Sequence, residues 1–143
     1  MQYDLISTDK GKFSLHDCRA RKAAFSENRL TFSFPDGIYY NDYSDDWPNT
    51  GEAEVEFRTD GELFFYLFEE QDGCTIRKSY TMEQLLDRIN SGRWEMEFGY
   101  RYDGYREIIY TGWIWQNHEP WSREFQMFIG LKEDTVFRWN PPE

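Results

Sequence analysis

Hydrophobic and polar residues alternate along much of this chain, which is the pattern of β-strands with one buried and one exposed face. The clearest example is the stretch 52–70, where Ala53, Val55 and Phe57 alternate with charged residues. Thr59-Asp60-Gly61 follows as a turn signal, because glycine readily adopts the positive φ of a short hairpin turn. We therefore predict a hairpin over 52–70 that has one continuous apolar face.

The opposite face of this predicted hairpin is acidic on one strand and aromatic on the other. Its residues are Glu52, Glu54, Glu56, Phe64, Tyr66 and Phe68. A face of this kind is either covered by another layer of the protein or binds a partner.

The longest predicted hairpin runs from Arg93 to Gln116. Asp103-Gly104 is a typical two-residue hairpin turn, in which both residues adopt positive φ. This register places Trp94 opposite Trp113, and cross-strand aromatic pairs stabilise a sheet by about 0.2–1 kcal/mol each.

One segment, 82–91, has the apolar spacing of a helix. Thr81 and Gln84 form a capping-box pattern before it, and Gly92 provides a left-handed stop after it. A helix of about ten residues is too short to be stable alone, so we expect it to pack on a sheet.

Together these patterns predict a mainly β protein, with α+β as the wider class. We expect an antiparallel meander of about nine to eleven strands with one short helix over 82–91, and a sheet of that size curls into a barrel or splits into a two-sheet sandwich. The pattern does not choose between barrel and sandwich. We find no composition shift that marks a boundary, and 143 residues suit one domain over 1–143.

Charge is distributed unevenly along the chain. The formal net charge is −11, and residues 36–70 contain eleven acids and one base. A negative field of this kind disfavours nucleic acid and anionic membrane surfaces and permits attraction to a basic protein. Solubility alone also explains such a charge.

No apolar run approaches the roughly 20 residues that a membrane span requires. The first ten residues also lack the apolar region of a signal peptide, so we expect a soluble, cytoplasmic protein. Cys18 and Cys74 lie in unrelated segments without CxxC spacing. We expect two free thiols in preference to a disulfide or a reactive thiol.

Few residues suggest metal or cofactor chemistry. His16 and His118 have no ligand spacing, so we predict no metal site and no cofactor. The segment that starts at Asp42 begins like a calcium loop, but Trp47 stands where the loop needs glycine and Ala53 where it needs glutamate.

Catalysis also finds little support. Cys18 follows His16 at a spacing that places both on one face of a strand, but an activated thiol also needs exposure and an orienting partner. We predict no catalytic residue, and a binding protein is favoured over an enzyme.

The best candidate for binding is an aromatic and acidic surface. It combines the loop after Ile38 with the acidic strand, because Tyr and Trp provide large contact areas at low entropic cost. Its residues are Tyr39, Tyr40, Asp42, Tyr43, Asp45, Asp46, Trp47, Glu52, Glu54 and Glu56. The function predicted from it is non-catalytic binding of a basic protein, as an antagonist or immunity-type partner would do. The alternative is that the rings of this loop cap one end of the barrel or sandwich.

A second candidate function is the binding of a small ligand or carbohydrate by stacked aromatic residues. Its site would use Trp94, Trp113, Trp115, His118 and Trp121. Such a site would be nearly insensitive to salt, whereas a site for a basic protein would be strongly salt-dependent. The pattern predicts no oligomeric state.

Overall fold

A computed structural model describes residues 1–7, 11–41, 43 and 47–142. Within these ranges the chain forms twelve strands and one helix, α1 (Met82–Asn90), so the predicted mainly β fold with one short helix is confirmed. The strands are β1 (Tyr3–Ser7), β2 (Phe13–Ser14), β3 (Arg19–Ala20), β4 (Lys22–Ser26), β5 (Arg29–Phe34), β6 (Tyr39–Tyr40), β7 (Ala53–Gln71), β8 (Cys74–Tyr80), β9 (Glu95–Gly104), β10 (Glu107–Trp115), β11 (Ser122–Leu131) and β12 (Thr135–Trp139). All their pairings are antiparallel.

The strand β7 is 19 residues long and continues through the position of the predicted hairpin turn. The prediction of a hairpin over 52–70 is therefore wrong. The first part of β7 pairs with β5 and β12, whereas its second part pairs with β11 and β8. The acidic and the aromatic residues of the predicted common face consequently lie on different parts of the sheet.

The turn signal in β7 forms a β-bulge instead of a turn. The pairing register with β11 shifts between Thr59 and Leu63, and Gly61 has a φ of 96°. Side chains stabilise the bulge, because Gly61 N donates to Thr59 Oγ1 at 3.1 Å and Glu62 N donates to Asp60 Oδ1 at 2.9 Å. A bulge bends a strand and increases its twist, and here it carries β7 from one half of the sheet into the other.

The ten-stranded sheet thus has two halves that share β7. The first half consists of β1, β12, β7, β5 and β4, and the second half of β8, β7, β11, β10, β9 and β3. The inner faces of the halves pack on each other: the rings of Phe32 and Phe98 have centroids 5.2 Å apart, and those of Phe57 and Tyr110 are 5.9 Å apart. The strands at the two ends of the sheet order, β1 and β3, do not pair with each other. The fold is therefore sandwich-like and not a closed barrel. A separate two-stranded sheet is formed by β2 and β6.

The core between the halves is dominated by phenylalanine. Six phenylalanines are completely buried, which agrees with the preference of bulky rings for a pleated surface. They are Phe32, Phe34, Phe57, Phe65, Phe98 and Phe125.

The hairpin of β9 and β10 forms as predicted, but its turn and register differ from the prediction. Gly104 pairs with Glu107, so the turn is Tyr105-Arg106 and not Asp103-Gly104. Met96 consequently lies opposite Ile114, and both are completely buried. The local turn preference of Asp-Gly therefore does not determine the register, which also shifts at a β-bulge between Tyr110 and Gly112.

The helix α1 begins with the predicted capping box. Gln84 N donates to Thr81 Oγ1 at 3.1 Å, and Thr81 N donates to Gln84 Oε1 at 2.9 Å. Leu85 and Ile89 are buried against the sheet. In the described ranges, no helix is both long enough and apolar enough to cross a membrane.

Candidate functional site

The tyrosines of the predicted recognition loop pack onto one end of the core. Tyr39 and Tyr40 are half-buried, and the ring of Tyr40 lies 5.2 Å from that of Trp139. Trp139 Nε1 donates a hydrogen bond to Tyr43 Oη at 3.1 Å. For Tyr39 and Tyr40, these contacts agree with the alternative prediction that the rings cap one end of the sandwich.

Trp47 differs from these tyrosines, because 77% of its surface is exposed. The three acids of the same loop, Asp42, Asp45 and Asp46, lie outside the described residues. A role of this loop in binding stays a prediction.

The three predicted binding acids on β7 and just before it differ strongly in exposure. Glu52 is exposed, Glu54 is half-buried and Glu56 is only 6% exposed. Arg58 Nε donates to one carboxylate oxygen of Glu56 at 2.8 Å, and Arg138 Nη2 donates to the other at 3.2 Å. Burial raises the pKa of Glu56, but the two arginines outweigh burial, so this pKa lies below its ordinary value. The charge of Glu56 is therefore compensated within the protein.

The residues of the predicted ring-stacking site differ in burial and in the side chains that they contact. Trp94 is 4% exposed and packs on Tyr80, with ring centroids 5.4 Å apart. Trp115 is half-buried beneath Arg19, whose guanidinium carbon lies 4.6 Å from the ring centroid. These two rings therefore already have partners within the protein.

The other three residues of that predicted site are exposed. Trp113 is 44% exposed on β10, and His118 and Trp121 belong to the loop between β10 and β11, where Trp121 is 57% exposed. In that loop the Glu119–Pro120 peptide bond is cis.

Three rings and one isoleucine, which we call the aromatic row, cross the outer face of the second half of the sheet. Phe64, Phe128, Ile109 and Tyr102 are successive cross-strand neighbours on β7, β11, β10 and β9. Phe64 is 48% exposed and Tyr102 54%. The sequence pattern indicated the outward aromatic residues of β7, but it missed the other members of the row, because cross-strand neighbours depend on topology.

A groove lies beside this row and has a volume of about 880 Å³. Rings and carboxylates line it together: Phe68 and Glu70 come from β7, Trp113 from β10 and Glu124 from β11. Glu124 lies directly opposite Trp113 in the sheet. We call these four residues, with Glu69, Thr75, Pro120, Ser122 and Arg123, the acidic–aromatic groove.

Of the described carboxylates that line the groove, Glu69 pairs with Arg123 at 2.7 Å, whereas Glu70 and Glu124 are less compensated than other acids on the same face. Glu95 and Glu97 form ion pairs with Arg19 at 3.3 and 3.1 Å. Among the described residues, neither Glu70 nor Glu124 forms an ion pair, although Thr75 Oγ1 donates to Glu70 at 2.5 Å. Sequence reasoning missed Glu70 and Glu124 because their charge stands out only once the ion pairs of their neighbours are known.

Rings of this face already bind guanidinium groups within the protein. The guanidinium carbon of Arg77 lies 3.9 Å from the ring centroid of Tyr66, and Arg77 Nη1 donates to Gln126 Oε1 at 3.2 Å. Arg19 lies over Trp115 in the same way. Phe68 and Trp113 have no such cation among the described residues.

Cys18 has the surroundings of a core thiol. It is 1% exposed, and burial raises its pKa to about 12. Its Sγ donates weakly to the carbonyl oxygens of Ser14 and His16 at 3.8 and 3.7 Å. The thiol is therefore protonated at neutral pH and is a poor nucleophile.

Metal coordination requires several ligands at one point. Within the described ranges, no group of three or more His, Cys, Asp or Glu side chains has the arrangement to hold a metal ion. Both cysteines are free; Cys18 is buried and Cys74 is exposed.

Comparison with known proteins identifies no relative of this chain. No protein-family model, no curated protein and no solved structure matches this chain.

Proposed function

We propose that this protein is a non-catalytic binding protein that holds a basic segment of a partner protein in the acidic–aromatic groove. The observation that carries the proposal is the placement of Glu70 and Glu124, two carboxylates without an ion pair in the described part of the chain, beside the rings of Phe68 and Trp113. An arginine or lysine side chain satisfies both features at once, because its cation pairs with carboxylates and lies favourably over an aromatic face.

The aromatic row beside the groove supports a protein as the partner. Phe64, Phe128, Ile109 and Tyr102 provide apolar area that flanks the charged contacts. Protein interfaces combine a core of aromatic residues with a polar rim in this manner. An antagonist of a basic enzyme would act through such a surface by covering the cationic face of its target.

The net charge of −11 favours the same class of partner. A charge of this sign accelerates the approach of a basic protein, and the effect weakens as salt screens it. The first contacts would form at the exposed acids, and the rings would hold the bound partner.

The test is a titration with a fluorescently labelled peptide of alternating arginine and alanine, followed by anisotropy. We expect binding that weakens from about 50 to 500 mM salt. The double change Glu70→Gln with Glu124→Gln should weaken it about tenfold or more, which corresponds to the loss of two charge-assisted contacts. A neutral peptide of equal length should not bind.

The matched control is Glu52→Gln with Glu54→Gln, which removes the same charge at the start of β7, outside the groove. Unchanged peptide binding in this control places the site in the groove. Equal loss in both double variants would overturn the groove as the site, since only net charge would then matter. Loss in the control alone would favour the acids of the first half.

A small-ligand or carbohydrate site is the second candidate, because exposed Trp113 and Trp121 lie near each other. Pro120 and Ser122 line both the groove that contains Trp113 and the adjoining depression that contains Trp121. Sugar binding here would quench tryptophan fluorescence, would be nearly independent of salt, and would survive the double change Glu70→Gln with Glu124→Gln.

A further inference from the structure

A cavity with a cationic lining lies where the end of α1, the edge strand β8 and the loop after β10 meet. Its volume is about 370 Å³, within the range of small-ligand sites. Four cationic side chains from separate segments line it: Lys78, Arg88, Arg93 and Arg123. One carboxylate, that of Glu69, faces them. We call this site the cationic cavity.

Two of the four cations are already paired. Arg123 Nη1 donates to Glu69 Oε1 at 2.7 Å, and Arg93 pairs with Asp87. The pair of Arg123 and Glu69 also separates this cavity from the acidic–aromatic groove, because both residues line both.

The other two cations have no carboxylate partner in the described part of the chain. Arg88 lies over two rings, with its guanidinium carbon 5.0 Å from the ring centroid of Tyr80 and 5.1 Å from that of Trp94. Lys78 Nζ lies 5.3 Å from the ring centroid of Tyr80. Both cations thus lie beside the Tyr80 ring, and Glu69, the carboxylate that faces the cavity, pairs with Arg123 instead. An anion in the cavity would be attracted by these two cations.

Polar side chains complete the lining of the cavity. Arg123 Nη2 donates to Gln116 Oε1 at 3.1 Å, and Gln116 lines the cavity as well. The exposed His118 and Asn117 line the same cavity with further polar atoms.

Aromatic walls strengthen the electrostatic attraction. Tyr80 and Trp94 line the cavity and are 7% and 4% exposed. Their rings exclude water from one side, and charges interact more strongly where water is excluded.

We propose that the cationic cavity binds a small molecule that carries phosphate groups. Guanidinium groups match phosphate oxygens with two parallel hydrogen bonds, and a lysine ammonium adds a point charge, so arginines and a lysine around one cavity favour phosphate over a single carboxylate. The site is separate from the acidic–aromatic groove in charge and in ligand. The proposal therefore does not depend on the binding of a basic partner.

The test is calorimetric titration of the intact protein with pyrophosphate, inorganic phosphate and citrate at constant ionic strength. We expect pyrophosphate to bind with one site per chain and more tightly than citrate. Lys78→Gln and Arg88→Gln should each weaken binding roughly tenfold, the effect of one lost charge-assisted contact.

The matched control is Lys22→Gln, which removes one exposed lysine on β4, outside the cavity. Arg88→Gln removes ring contacts and so is checked by circular dichroism, whereas Lys78 is exposed and its change leaves the core untouched. Absence of pyrophosphate binding at millimolar concentration would overturn the proposal. Equal weakening by Lys22→Gln, or citrate binding as tight as that of pyrophosphate, would overturn it as well. Peptide binding in the groove is measured on the same variants and should be unchanged, which separates the two proposals.

Discussion

The side-chain amide of Asn90 makes two hydrogen bonds to the backbone of Ala23. Ala23 N donates to Asn90 Oδ1 at 2.9 Å, and Asn90 Nδ2 donates to Ala23 O at 2.8 Å. The last residue of α1 thereby satisfies the backbone of Ala23 on the edge of β4 that does not pair with β5. An edge covered in this way is protected from pairing with a second molecule.

Asn90→Ala should therefore destabilise the protein. Loss of both hydrogen bonds is expected to lower the free energy of unfolding by about 1–2 kcal/mol. Urea unfolding followed by circular dichroism measures it. Asp87→Ala is the control on the same helix, because its exposed ion pair with Arg93 should contribute less than about 0.5 kcal/mol. Similar losses in both variants would show that the amide contacts contribute nothing specific.

The ion pairs of Glu56 predict a pH dependence of stability. The pKa of Glu56 is lower in the folded protein than its ordinary value of 4.5, so the folded state favours the charged form. The resulting stability is complete above pH 4.5 and is lost as the pH falls through the folded pKa. Glu56→Gln should lower the free energy of unfolding by about 1–3 kcal/mol at pH 7.

The difference between Glu56→Gln and the natural protein should then shrink as the pH falls below 4.5. Denaturant unfolding at a series of pH values measures this. Glu54→Gln on the same strand is the control, because Glu54 forms no ion pair among the described residues and its change should stay within about 0.5 kcal/mol. A difference that stays constant down to pH 3 would contradict the assignment.

Gly112 should tolerate no side chain. A Cβ atom at this position would lie 2.1 Å from Glu97 O and 2.6 Å from a ring carbon of Phe125. Because both neighbours are held in the sheet, Gly112→Ala is expected to cost about 2–4 kcal/mol or to prevent folding. Gly73→Ala provides the comparison, since that position has open space and only the strain of a φ of 79°, about 1–2 kcal/mol. Thermal unfolding of both variants distinguishes steric overlap from backbone strain, and a smaller loss for Gly112→Ala would refute the close packing.

The two cysteines should react at very different rates. Cys74 is exposed, whereas burial keeps Cys18 protonated and raises its pKa to about 12. We expect iodoacetamide at pH 8 to label Cys74 alone in the native protein and both cysteines in denaturant. Mass spectrometry of the intact chain and of its peptides measures this, and rapid native labelling of Cys18 would show that its surroundings open readily.

The sequence predicted the elements that depend on local contacts. The capping box of Thr81 and Gln84 needs only neighbouring residues, and both of its hydrogen bonds form. The hairpin of β9 and β10 formed for the same reason. Its predicted register was wrong, because the observed register shifts at a β-bulge between Tyr110 and Gly112, where β10 also pairs with β11. The chain pattern near the turn does not contain that pairing.

The error at Asp60-Gly61 has a different origin. The positive φ of Gly61 is compatible with a turn and with a β-bulge. The local sequence therefore predicted this φ correctly but did not distinguish between the two structures. The choice depends on whether strands are available on both sides of β7, and these come from distant parts of the chain.

The candidate groove was harder to predict from the sequence than the fold. Phe68, Trp113 and Glu124 come from three strands, and only their order in the sheet brings them together. The excess of acids in 36–70 led to the prediction that Glu56 binds a partner. In the structure, Arg138 from the far end of the chain compensates the charge of Glu56. Charge counted along a sequence therefore differs from charge presented at a surface.

The bent strand β7 also determines where the chain can change its length. Side chains alternate along a strand, so one inserted or deleted residue reverses the faces of every position beyond it. In β7 such a change would affect the pairing with β5 and β12 in one half and with β11 and β8 in the other. The tight turn Asp72-Gly73 serves only the pair of β7 and the edge strand β8, so length variation there disturbs one hairpin only. Insertions for tags or labels thus belong at that turn, whereas β7 should keep its length of 19 residues.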